Sequence, residues 1–224
     1  MNIAIAVDGP SGAGKSSLAR AAARELGLIY VDTGAIYRTV GLAAQRAGLG
    51  FGAAREVEAL LPSLDIRMAY DAAFVQRMYL NGEDVSDAIR QPEISMYASD
   101  VSAMPPVRAF LMDMQRNMAK NGKVIMDGRD IGTVVLPDAP LKIFLTASAE
   151  ARARRRQLEL SQKGVACSYE QVLQDIMTRD ENDSNRAIAP LKQAEDAVLL
   201  DTTELDFEQS RQRLVQLIRE RFGL

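Results

Sequence analysis

The sequence predicts an α/β fold built on a five-stranded parallel sheet with helices on both faces. Two observations predict it. Short apolar, β-branched runs alternate with longer stretches rich in Ala, Leu, Arg and Glu. A glycine-rich turn separates the first apolar run from the first helical stretch, at the carboxyl end of a strand, where such sheets bind ligands.

The elements follow in order. Residues 2–7 are apolar and end in a turn signal, a buried strand. Residues 16–26 have strong helix formers, and Gly27 stands where a helix-ending glycine belongs. Residues 28–31 give a second strand, and residues 35–46 a helix closed by Gly48. Between about 64 and 90 the pattern becomes strand-like, at 65–68 and 76–80, with Asn81-Gly82 as a hairpin signal. This stretch reads as a small antiparallel insertion. Residues 123–126 form the third strand of the main sheet, ending at Asp127. Residues 141–145, preceded by Pro137 and Pro140, form the fourth. Helices are expected over 149–162 and 169–179, a last strand over 197–200 and an amphipathic helix over 207–222. No internal repeat or low-complexity linker interrupts the 224 residues, which suit one sizeable domain.

Composition narrows the chemistry. The chain has no histidine and one cysteine, Cys167. Ser-His and Cys-His nucleophile systems, the usual zinc sites and an intrachain disulfide are therefore excluded. Residues 1–7 are apolar but too few for a secretion signal, and no run is long enough to span a bilayer. A cytoplasmic protein is expected. Net charge is -3, and the arginine-rich stretch lacks interleaved aromatics, so neither nucleic acid nor membrane is expected as a partner. Yet Arg152, Arg154, Arg155 and Arg156 fall within five positions, the mark of a local anion site.

The strongest motif is Gly9-Pro10-Ser11-Gly12-Ala13-Gly14-Lys15-Ser16, which fits G-x-x-x-x-G-K-[ST] at every required position. It follows a strand and opens a helix, as a phosphate loop must. Its glycines let successive amides turn toward phosphate oxygens, and the helix N-terminus adds partial positive charge. Residues 9–17, through Ser17, are the expected ATP-binding set. Lys15 is expected to reach the β- and γ-phosphates, and the Ser16 hydroxyl to ligate Mg²⁺. The motif alone does not separate a kinase from a GTPase or a motor ATPase.

Two further strand ends carry charge. Asp32-Thr33-Gly34-Ala35-Ile36-Tyr37-Arg38 follows the second strand. It suits an anionic second substrate, or equally an ordinary helix cap with Arg38 solvated. Asp127-Gly128-Arg129-Asp130 follows the third strand and sets an arginine between two carboxylates. Arg179, Asp183 and Arg186 lie in a polar segment placed just past the predicted helical pair. An arginine-bearing flap over a phosphate site would neutralise transferring charge and keep out water.

These segments together resemble the bacterial cytidylate kinase family. GPSGAGKS, DTGAIYR, NGEDVSDAIR, DGRDIGTVV with PDAPLKIFL, and RDENDSNR with AIAPL appear in family order over nearly the whole chain. The resemblance implies a phosphate-loop NTPase fold and ATP-dependent phosphorylation of CMP and dCMP with Mg²⁺. It implies a core at 1–31, 111–150 and 187–224, a monophosphate-binding region at 32–110 that holds the insertion, and a lid at 151–186. By matching position it puts Thr33, Arg108, Asp130 and Arg186 around the cytosine. Arg38 and Arg129 would be on the monophosphate, with Asp127 beside them, and Ser99, Arg179 and Asp183 near the sugar. Lys15, Arg129 and Arg155 are the expected catalytic set. Thr33 stands where the family often has serine, and Ser16-Ser17 replaces a glycine-containing ending. A monomer is expected. The rival readings are a phosphate-loop kinase of another small acceptor, such as UMP, and a non-kinase nucleotide-binding regulator. No guanine-reading Asn-Lys-x-Asp segment supports the latter.

Overall fold

The computed structural model describes residues 3–120, 122–162 and 164–224. Asn2, the opening residue of the first predicted strand, lies outside them. The chain begins with β1 (Ile3–Asp8), α1 (Lys15–Leu26), β2 (Ile29–Asp32) and α2 (Thr33–Arg46). It continues through α3 (Ala54–Leu60), β3 (Ile66–Tyr70), β4 (Gln76–Leu80), β5 (Glu83–Asp84), α4 (Pro92–Ser102) and α5 (Pro105–Lys120). Then come β6 (Lys123–Asp127), a π turn (Ile131–Val135), β7 (Leu141–Thr146), α6 (Ala149–Gln162) and α7 (Tyr169–Asn185). The last two elements are β8 (Val198–Asp201) and α8 (Phe207–Phe222).

The main sheet is parallel with strand order β2-β6-β1-β7-β8. Its middle strand, β1, is buried along its whole length, which is why its sequence is unbroken apolar up to Asp8 rather than alternating. Register sets Asp32 of β2 beside Asp127 of β6, and Asp127 beside Val7 of β1. Three acidic residues, Asp32, Asp127 and Asp8, therefore end adjacent strands at one edge of the sheet. One face packs on α1 and α8 through residues such as Leu18, Ala22, Leu214 and Ile218. The other packs on α5 and the π turn through Ala119, Ile131 and Val135.

The predicted insertion is a three-stranded antiparallel sheet, β3-β4-β5, with Asn81-Gly82 between β4 and β5. It is tied to the main sheet by side chains. Gln76 accepts the Asp32 N–H at 2.8 Å and donates to the Asp32 carbonyl at 3.1 Å. The Tyr70 hydroxyl donates to the Tyr30 carbonyl at 2.7 Å. A separate apolar cluster joins α2, α4 and α5 to this sheet.

Two features depart from the sequence expectation. Three helices that the apolar pattern does not announce, α3, α4 and α5, fill the chain between β2 and β6. Both α4 and α5 begin with proline, which reads as a breaker but is favoured in a first helical turn. Helix α7 also runs past its expected end at residue 179. Arg179 and Asp183 are helical, and only Arg186, at the C-cap, leaves the helix. The segment is polar because one face lines a charged cavity, and tertiary contacts sustain a helix that local pattern does not mark.

Candidate active site

The phosphate loop leaves β1 at Gly9. That residue has φ 146°, and a β-carbon there would lie 1.9 Å from the Leu145 carbonyl oxygen, so only glycine fits. Gly12 and Gly14 also take positive φ, and Gly14 is the left-handed N-cap of α1. Lys15 is buried, and its ammonium donates to the Pro10 carbonyl at 2.7 Å, spanning the loop. Burial holds this ammonium well below its usual pKa, and the charge of Arg129 adds to the effect. From α6, the buried Arg152 donates to the Ser11 carbonyl at 2.9 Å and pairs with Asp180 of α7 at 2.6 Å. The helical pair is thus anchored to the phosphate loop at its base.

Asp127 faces the loop. The Ser16 hydroxyl donates to one of its carboxylate oxygens at 2.7 Å and the Tyr30 hydroxyl to the other at 2.9 Å. Burial, with the nearby charge of Asp32, pushes the Asp127 carboxyl up to about 6. The Asp127 carboxylate, which the resemblance sets beside the monophosphate arginines, is bound to the phosphate-loop serine. The reason is register, because β6 lies beside β1 and its last residue meets the start of α1. Of the two candidate serines, Ser16 makes this contact. Ser16 and Asp127 supply two hard oxygen donors at the helix N-terminus, a donor set suited to a divalent cation that is otherwise held by nucleotide phosphates.

The next turn builds the acceptor side. A β-carbon on Gly128 would meet Ile131 at 2.7 Å and the Thr33 hydroxyl at 2.8 Å, so glycine brings α2 and the turn together. Thr33 donates to the Asp127 carbonyl at 2.8 Å. Asp130 is buried in an ion pair with the equally buried Arg108 of α5, and Arg186 lies 3.8 Å from its other oxygen. Arg129 donates to Asp183 of α7 at 2.7 Å. Burial alone would raise the Asp183 carboxyl, but the charge and hydrogen bond of Arg129 hold it below its usual value. Asp32 caps α2 through the Ala35 N–H and also pairs with Arg38 at 3.6 Å. The cap reading of that segment therefore holds for Asp32, while Arg38 is paired with it and lines the cavity.

Two buried guanidinium nitrogens here, Arg179 Nε and Arg186 Nη2, have no hydrogen-bond partner among the described residues. Burial pulls Arg179 down to about 10, and the charge of Arg129 adds to this. Buried, unsatisfied N–H groups among like charges are costly, and an anion would satisfy them.

A single cavity of about 630 Å³ joins the two halves. All of the site residues expected from sequence line it except Gly9 and Pro10, which shape the loop from behind. Ser99 lines it from α4. Arg155 lines it at the far end, where its guanidinium donates to the Thr202 and Leu205 carbonyls rather than facing the loop. Beside it stands Phe207, 54% exposed at the start of α8. Sequence reasoning missed Phe207, Tyr30, Gln76 and Asp8. Phe207 carried a usable signal, since it follows the carboxyl end of a strand. The others show no motif, because their roles depend on strand register.

The cytidylate kinase family model matches residues 5–220. The chain belongs to the cytidylate kinase family. It is 51% identical over 215 residues to a cytidylate kinase of Caldicellulosiruptor bescii, covering 96% of this chain and 95% of that one. It is 48% identical over 217 residues to a cytidylate kinase of Syntrophotalea carbinolica, covering 97% and 92%. Among solved structures, an uncharacterised protein from Eubacterium ventriosum aligns with a TM-score of 0.54 at 12% identity, over 98% of this chain and 99% of that one. That likeness speaks for the fold alone. Both cytidylate kinase relatives match at least 96% of this chain, so the antiparallel insertion and the α6–α7 pair fall within the matched length.

Proposed function

We propose that the chain transfers the γ-phosphoryl group of ATP to CMP, and to dCMP as the second acceptor, giving ADP and CDP or dCDP. The single observation that carries this is the cavity itself. It holds a phosphate loop at one side and a cluster of buried arginines with unsatisfied N–H groups at the other, with a carboxylate among them. Two anions facing each other fit that arrangement; one does not. Family membership supports cytosine as the base.

The ATP phosphates would lie along the amides of residues 11–16, with Lys15 turning from Pro10 to the β- and γ-oxygens. The purine would rest on the ledge formed by Leu205, Phe207 and Arg155. Ser16 and Asp127 would hold Mg²⁺, which supplies charge neutralisation of the triphosphate when bound. Arg38 and Arg129 would hold the CMP phosphate, and Ser99, Arg179 and Asp183 would meet the sugar. The nucleophile is an oxygen of that phosphate, already largely ionised near neutral pH. No general base is then needed, in keeping with a chain that lacks histidine. Positioning and charge neutralisation remain as the work of the protein.

Base choice follows from Asp130. Its carboxylate accepts from the exocyclic amine of cytosine, while Arg108 and Arg186 donate toward the ring nitrogen and carbonyl. Uracil presents an acceptor where the amine was and a donor at the ring nitrogen, which leaves partners unpaired. The division of labour belongs to the same proposal: a core, a monophosphate region at 32–110, and a lid at 151–186 that closes from its anchor at Arg152. Arg155 is bound to the 202–205 segment. It must leave those carbonyls to touch the transferring group. A cytoplasmic monomer is the state we propose for it.

An assay of ADP release coupled to NADH oxidation, with CMP, dCMP, UMP and AMP in parallel, tests the assignment. CMP and dCMP are expected to give the highest kcat/KM. A preference for UMP or AMP would contradict the reading of Asp130, and ADP release from ATP that does not depend on an acceptor would contradict the kinase assignment.

A further inference from the structure

We infer that Asp8 is a positioning residue for the acceptor half of the reaction: its carboxylate clamps the turn that carries Arg129 and Asp130 and thereby sets selectivity between CMP and UMP. This inference rests on the kinase reading above.

Asp8 closes β1, one residue before the phosphate loop, and is 5% exposed. It does not line the cavity. Its two oxygens accept the N–H groups of Ile131 and Gly132, each at 2.7 Å. The preceding residue, Val7, takes the N–H of Gly128 with its carbonyl at 3.0 Å. The Gly128-Arg129-Asp130 turn is therefore held to the end of β1 on both sides, by a backbone bond before it and by the Asp8 carboxylate after it. The Lys142 ammonium is directed to Asp196 at 2.9 Å, and Lys15 acts on Asp8 through its charge alone, so the clamp is a carboxylate on two amides.

The residue type fits this task. A buried ionised carboxylate is expensive unless its oxygens are hydrogen-bonded, and a carboxylate is the side chain that offers two acceptors to two parallel N–H groups. Asparagine would turn an NH₂ toward one of those amides. The fit is close on the other side as well. A β-carbon on Gly132 would lie 3.3 Å from the Asp8 carboxylate and 3.1 Å from the Lys142 side chain. Between the two attachments stand the two side chains whose aim matters most. Asp130 meets Arg108 and Arg186, and Arg129 meets Asp183. Reacting and recognising groups must be held to within about 0.5 Å of productive geometry by a supporting layer. Asp8 provides that layer from the same strand end that launches the phosphate loop, and so fixes the base reader relative to the ATP site.

The test compares the full-length wild-type protein, Asp8→Asn and Gly132→Ala. The readouts are KM and kcat for CMP and UMP, ATP affinity by displacement of a fluorescent ATP analogue, and Tm. Asp8→Asn is expected to raise the KM for CMP about tenfold and to cut the CMP-over-UMP ratio of kcat/KM about tenfold, the size of one lost charge-assisted bond, with ATP affinity within about twofold. Gly132→Ala strains the same clamp from its other side and is expected to move the same two quantities in the same direction. It decides the matter should Asp8→Asn not fold. A lower Tm with unchanged selectivity would overturn the inference, as would equal losses of ATP and CMP affinity. Absence of CMP turnover in the wild-type protein would instead remove the kinase reading on which it stands.

Discussion

Lys15→Ala is expected to lower kcat by on the order of 10²–10³ or more, the range seen when one preorganised charge-stabilising group is removed. Lys15 stands at the first position of α1, at the positive end of the helix, with its ammonium spanning the loop to Pro10. Its basicity is depressed by burial, with the charge of Arg129 adding to the effect. A triphosphate would reverse that balance by bringing negative charge between the two. The ammonium then becomes more stable with ATP bound, and more so as charge moves onto the leaving phosphate. Its loss should fall on turnover and not on the fold. Far-ultraviolet circular dichroism and Tm check the second half of that statement, and steady-state kinetics the first. Near-normal turnover would remove the phosphate loop from the mechanism.

Asp130→Ala is expected to raise the KM for CMP by on the order of 10–100-fold while ATP affinity changes by about twofold or less, since each unpaired buried partner costs about 1–3 kcal/mol. Asp130 is the carboxylate counterpart of Arg108 and Arg186, both nearly enclosed. Its removal leaves two guanidinium groups facing each other without compensation, so Tm is also expected to fall. Asp130→Asn separates the two consequences. It keeps the shape but replaces one acceptor by a donor, which suits the uracil carbonyl better than the cytosine amine. The CMP-over-UMP ratio should therefore narrow in Asp130→Asn with a smaller loss of stability. Equal losses of ATP and CMP affinity, by titration, would contradict the base assignment.

Much of this arrangement was legible in the sequence, for identifiable reasons. The five strands of the main sheet showed because each is a short apolar run bounded by turn residues, and Asn81-Gly82 gave away the insertion. The phosphate loop showed because its glycines answer a backbone requirement that Gly9, Gly12 and Gly14 meet in the structure. What stayed hidden depends on contacts between distant segments. Helices α4 and α5 open with prolines that look like breakers. The far half of α7 is polar because it faces the cavity. Nothing in the local pattern of Asp127 announces that its side chain meets Ser16, 111 residues away. Asp8 belongs to no motif, and only the register of β1 beside β6 reveals it as an acceptor for the 131–132 amides. Spacing along the chain shows what a segment can do by itself; pairing across the sheet decides which side chains act together.

The central claim is that one cavity holds two nucleotides with their phosphates facing. Calorimetric titration with a single molecule that joins adenosine and cytidine through a chain of phosphates tests it most directly. Linking the two ligands is expected to tighten binding by at least about 10²-fold over ATP or CMP alone, with competition against both. Affinity no better than that of ATP, or displacement by ATP and not by CMP, would contradict it.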